Sequence, residues 1–114
     1  MRRLLLVLAL AAPPPPALAL SSAAREFVEI SAQLEPVQCE KRKLRRAITL
    51  AQVEGRAADA KRMRARFAAL DADPRNARLE KRLAELEQRI HASRDAEDLD
   101  AISFQQRKAF YSCE

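Results

Sequence analysis

Three groups of side chains in this chain could bind or react. Cys39 and Cys113 are its only thiols, Lys41-Arg42-Lys43-Leu44-Arg45-Arg46 is its densest run of charge, and His91 is its single histidine. The cysteines do not form a C-x-x-C redox pair. No metal-ligand spacing surrounds His91, which follows Ile90 on a helix and is expected on the surface or in a turn. The carboxylates Asp95, Glu97, Asp98 and Asp100 lack the central glycine and ligand alternation of a calcium loop, so helix capping is the simpler role for them. There is no glycine-rich phosphate loop, and no nucleophile accompanied by a base and an orienting group. The residues therefore argue against an enzyme and call for no cofactor or metal.

The basic run is different. Between Glu40 and Arg66 ten basic residues face three acidic ones, a local charge of +7. The run sits near the start of an expected helix, where the macrodipole already favours anions, so the charge opposes stability and points to an anionic partner. The candidate surface is Lys41, Arg42, Lys43, Arg45, Arg46, Lys61, Arg62, Arg64 and Arg66. A solvated arginine-rich face in a chain of biased composition is the competing explanation.

Residues 1–19 read as a secretory signal peptide. Arg2 and Arg3 form the charged start, Leu4–Ala12 the apolar stretch and Ala17-Leu18-Ala19 the small-x-small cleavage site. A membrane span needs about 20 apolar residues, and Pro13–Pro16 interrupt this one at half that length. Loss of Arg2 and Arg3 with the leader lowers the formal charge from +5 to +3. In an exported protein two cysteines most simply form one disulfide. A Cys39–Cys113 bond would close a loop of about 75 residues, worth roughly 4–5 kcal/mol on the chain-entropy account. Export and composition together indicate a bacterial periplasm.

Elements must bring these residues together. A single glycine, no tryptophan and no period-two runs of Val, Ile or Thr predict an all-α fold without sheet. Residues 20–36 form a short N-terminal helix and linker: Ser21 or Ser22 caps it, Phe27, Ile30 and Leu34 share a face, and Pro36 ends it. Residues 37–114 then form the main domain. Leu44, Ile48 and Ala51 make one apolar stripe and Met63, Phe67 and Leu70 another, on different faces of a straight helix. A turn at Gly55 reconciles them; a continuous helix tolerating one glycine is the alternative. Asp73-Pro74 is a natural cap and first helical residue. Leu79, Leu83, Leu86 and Ile90 form the strictest stripe, expected to be core rather than a dimer seam. Past Ile90 the phase is lost, and Ser93 or Asp95 can cap a new helix carrying Leu99, Ile102, Ala109 and Phe110; one kinked helix is the alternative.

These elements predict a small antiparallel bundle of about four helices, at about 37–54, 57–71, 75–92 and 95–112, running up, down, up and down. Cys39 and Cys113 then meet at one end. A long two-helix hairpin turning at 71–74 is the second arrangement. It staggers the cysteines by about 12 Å along the helices, beyond the roughly 7 Å that a disulfide spans.

Cys39-Glu40-Lys41, helical spacing through Ile48 and Ala51, Gly55 at a turn, then Met63 and Leu70 resemble the start of the YqjC-like proteins. Those are small exported bacterial helical proteins of uncharacterised function. The resemblance covers residues 39–70. In that family's pattern a second cysteine closes the first hairpin, near Arg75 here, whereas this chain has Cys113, so no functional residue carries over. The leading expectation is an exported, non-enzymatic binding or structural accessory protein of the bacterial envelope. Its partner would be an anionic envelope component or an acidic protein; export disfavours nucleic acid. The alternative is a periplasmic stress holdase working through apolar helix faces.

Overall fold

A computed structural model of the chain describes residues 19–113. The expected leader at 1–19 lies, but for Ala19, outside the described residues. Four helices follow: α1 (Ser22–Val53), α2 (Ala57–Ala72), α3 (Pro74–Ser93) and α4 (Ala96–Ser112). The described residues form no strand. The fold is all-α.

Local chemistry accounts for most of the boundaries. Ser21 caps α1, its Oγ accepting from the Ala24 N–H at 3.2 Å. Gly55 ends α1 at a φ of 72°. There the Arg56 N–H donates to the Ala51 carbonyl at 2.8 Å and the Gly55 N–H to Gln52 at 3.2 Å, which is a Schellman motif. The continuous-helix alternative is therefore not adopted. Asp73 ends α2 and caps α3, accepting from the Asn76 N–H at 3.0 Å, with Pro74 as the first helical residue. The buried Asn76 side chain donates to the last-turn carbonyl of Leu70 at 3.3 Å. Arg94, at a φ of 54°, and Asp95, which accepts from the Asp98 N–H, separate α3 from α4. With breaks at Gly55 and at Arg94-Asp95, the two-helix hairpin is not the arrangement.

One expected boundary is wrong. Pro36 does not end a helix: α1 runs through it without interruption for 32 residues, about 48 Å at helical rise. Residues 20–36 are thus not a separate helix and linker. A proline in a helix interior loses one backbone hydrogen bond and crowds the carbonyl four residues back, at about 3 kcal/mol. Here that carbonyl belongs to Ala32, and Ala32 and Pro36 are both exposed, so water reaches the unpaired group. The opposite face buries Phe27, Ile30 and Leu34, and Cys39 is tethered to α4, which holds both sides of the proline in helix. Pro36→Ala should restore the bond to Ala32 and raise the thermal midpoint, by about 1–3 kcal/mol of stability. A lowered midpoint would mean that the proline contributes more by restricting the unfolded chain.

The course of the helices also differs from an up-down-up-down order. Pairs between α1 and α4 keep a constant offset: Ser21 with Asp98 and Glu35 with Ser112, each 77 residues apart, so the two run parallel. Both α2 and α3 run against α1, as Glu40–Arg66, Gln33–Arg75 and Glu26–Arg82 show. Thus α3 continues along α1 where α2 leaves off instead of reversing on it. The single residue Asp73 links them, shorter than the two to five residues that a helical hairpin uses.

Two unequal halves result. In the first, α1, α3 and α4 lie side by side around Phe27, Ile30, Leu34, Leu86, Ile90 and Ile102, with Leu79 and Leu83 packed at the edge. The stripe on α3 is core, as its spacing predicts. In the second, α2 alone among the described elements covers α1. Leu44, Ile48, Met63 and Phe67 are half-buried there, while Ala51 and Ala60 are buried beside the turn. Cys39 and Cys113 are disulfide-bonded, with Cα atoms 5.4 Å apart. The bond pins the end of α4 to the middle of α1, not to its start, because α1 begins fifteen residues earlier than the expected helix at 37.

Ion pairs clamp the helices laterally. Arg82 holds Glu26 through two contacts of 2.7 and 2.8 Å, and Arg66 holds Glu40 at 2.7 and 3.1 Å. The hydrogen bond from Arg82 holds the Glu26 carboxyl below its ordinary value near 4.5, and that from Arg66 does the same for Glu40. Asp59, bonded by Arg56 and Arg62, is lowered likewise. A carboxyl lowered by folding stabilises above its unfolded value and loses that contribution as pH falls through the folded one. The thermal midpoint should therefore stay flat from pH 7 to about 5 and decline below about 4. In Glu26→Gln/Glu40→Gln that acid decline should be shallower; an unchanged slope would remove these pairs as its source.

Candidate anion-binding surface

The nine expected basic residues do not share one surface. Lys41 is turned inward: it bonds Asp71 and reaches Glu80 at 3.4 Å, with its ammonium 5.1 Å from the Phe67 ring centre. Burial works to lower its pKa, but the two carboxylates outweigh it and hold the ammonium above its ordinary value. Arg66 is bound to Glu40 and Arg62 to Asp59, both beside Leu44 and Met63 on the other side of the hairpin. Lys43, Lys61 and Arg64 are exposed and make no ion pair with a described residue. Arg66 faces Glu40, five and six residues before Arg45 and Arg46 along α1.

Three of the nine do converge. Arg42, Arg45 and Arg46 line an open cleft of about 660 Å³ with Phe110, Tyr111 and Cys113. Among the described residues no carboxylate lines it, and none of the three arginines pairs with a described acidic group. The Arg42 guanidinium lies 5.4 Å from the Phe110 ring centre, and Arg45 lies 5.1 Å from that of Phe67. Such contacts orient a cation without neutralising it. Phe110 and Tyr111 meet edge to face at 5.5 Å and are 61% and 75% exposed.

The helices explain the convergence. Arg42 and Arg46 are four residues apart on one face of α1, with Arg45 beside them. Phe110 and Tyr111 sit in the last turn of α4, which the disulfide holds against α1 at Cys39, one turn before Arg42. Sequence reasoning left the aromatic residues out of the site. The signal available was the cysteine pairing itself, since Cys39–Cys113 places whatever lies within a turn of each cysteine together.

The cleft offers guanidinium donors, cation charge and aromatic faces, which recognise an anion carrying an apolar portion. Among the described residues no group of three or more His, Cys, Asp or Glu is placed to hold a metal ion. His91 is exposed, 3.7 Å from Glu87. Among the described residues no helix is long and apolar enough to cross a membrane. No family model, curated protein or solved structure matches the chain.

Proposed function

We propose that this is an exported, non-enzymatic helical protein of the bacterial envelope that binds an anionic partner, with Arg42, Arg45 and Arg46 at the centre of the binding surface. The observation that carries the reading is their convergence with no described carboxylate beside them, against the internal pairing of Lys41, Arg62 and Arg66. Periplasmic residence belongs to the same proposal and rests on the leader-like residues 1–19 and on the cysteine pair. Binding to inorganic polyphosphate, followed by titration calorimetry, should weaken steeply with sodium chloride. It should be lost in Arg42→Gln/Arg45→Gln/Arg46→Gln. Salt-independent binding, or full binding by the triple variant, would defeat the reading.

A holdase is the second reading, favoured by the exposure of Leu50, Val53, Phe104, Phe110 and Tyr111. Suppression of a client's aggregation would then be insensitive to salt and would increase on reduction or at acid pH.

A further inference from the structure

We infer that the arginine cleft docks the protein onto an anionic lipid surface, with lipid phosphate among Arg42, Arg45 and Arg46 and the flanking apolar side chains in the interfacial layer. This rests on the anion-binding reading above and names its partner.

The geometry begins where α4 ends. That helix stops at Ser112, beside the middle of α1, while α1 continues to Val53. The flank of α1 beyond the disulfide is left uncovered, and it carries Arg42, Arg46, Leu50 and Val53 at i, i+4, i+8 and i+11. Leu50 is 52% and Val53 80% exposed. A second hollow of about 420 Å³, lined by Arg45, Arg46, Thr49, Leu50 and Val53, extends the first, again with no carboxylate among the described residues. On α4, Phe104, Arg107, Lys108 and Tyr111 recur at i, i+3, i+4 and i+7, all exposed. Tyr111 joins that stripe to the cleft.

Both stripes therefore carry guanidinium or ammonium groups together with large apolar side chains. A soluble anion would engage the charges and leave Leu50, Val53 and Phe104 in water. A bilayer surface engages both: phosphates accept from arginine forks, and aromatic and aliphatic side chains enter the layer below the head groups. Tyrosine, apolar with one polar end, suits that boundary. An acidic amphipathic helix would also satisfy both chemistries, but the apolar side chains here project from the helices instead of lining a closed groove.

Tyr111 is the only tyrosine and the chain has no tryptophan, so intrinsic fluorescence reports on the cleft itself. The oxidised protein recovered from its native envelope should be mixed with vesicles of phosphatidylcholine, with and without phosphatidylglycerol. Tyr111 emission should change and the protein should float only with the anionic vesicles. Arg42→Gln/Arg45→Gln/Arg46→Gln should weaken partitioning on the order of 100-fold. Val53→Ser/Phe104→Ser, at exposed positions outside the arginine cleft, should weaken it roughly tenfold while leaving polyphosphate binding unchanged. Polyphosphate binding without a preference for anionic vesicles would overturn the lipid proposal and leave the anion reading standing. Binding to neither would overturn both. Binding to an acidic amphipathic peptide but not to vesicles would overturn the lipid surface in favour of a protein.

Discussion

Replacing Cys113 and Cys39 together by serine should lower the thermal midpoint by roughly 20–35 °C. The disulfide closes a loop spanning 74 positions of sequence, and the chain-entropy account assigns such a loop about 4.5 kcal/mol. In a domain of under 100 residues, each kcal/mol moves the midpoint by about 4–8 °C. Other ties between α4 and α1 include Ser21–Asp98 at one end, Ser112–Glu35 and the Arg42–Phe110 contact near the other, and the packing of Ile102 and Ala109. Without the bond the last turns of α4 should fray first, carrying Phe110 and Tyr111 away from the arginines. Thermal melts of the oxidised, reduced and double-serine proteins, followed by circular dichroism, test this. A midpoint unmoved by the substitution would mean that packing alone holds α4 in place. The loss should also appear in Tyr111 fluorescence before it appears in helicity.

The second large effect belongs to Phe27. Its side chain is fully enclosed where α1, α3 and α4 meet, among Leu34, Leu86, Ile90 and Ile102. Phe27→Ala removes that burial and leaves a cavity that three helices cannot collapse around, at about 3–5 kcal/mol. Phe67→Ala is the matched comparison in the other half. Phe67 is half-buried, with Lys41 and Arg45 over its ring and only two helices around it, so its loss should cost clearly less. Chemical denaturation of both variants decides the matter. Equal losses would mean that the two-helix end is as well packed as the three-helix end.

That inequality bears on the proposed site. The disulfide and the enclosed core belong to the three-helix half, and the arginine cleft lies just beyond it, where the described residues cover α1 on one flank only. A surface that must present charge and apolar groups together is most easily kept where no third helix neutralises it. The internal pairs of Lys41 and Arg66 meanwhile fasten α2 to α1 and give the hairpin the lateral ties that its thin core lacks.

Much of this protein is determined by its sequence through local chemistry. The one glycine is the expected end of α1, because a left-handed C-terminal residue suits glycine at little cost, and it takes that place. Asp73-Pro74 had to begin a helix, and two thiols leave only one intramolecular pairing. The 3.6-residue spacing from Leu79 to Ile90 decides which face of α3 is buried. Tertiary structure decided the rest, for a common reason: energies collected from distant residues outweighed local preference. Pro36 stays helical because core packing before it and the tether at Cys39 after it together exceed the cost of one lost hydrogen bond. The direction of α3 depends on a single linking residue and on the apolar face that α1 offers ahead of Pro36. Which basic residues are neutralised depends on carboxylates up to 56 positions away, as Glu26 is from Arg82, and periodicity carries no information about those encounters.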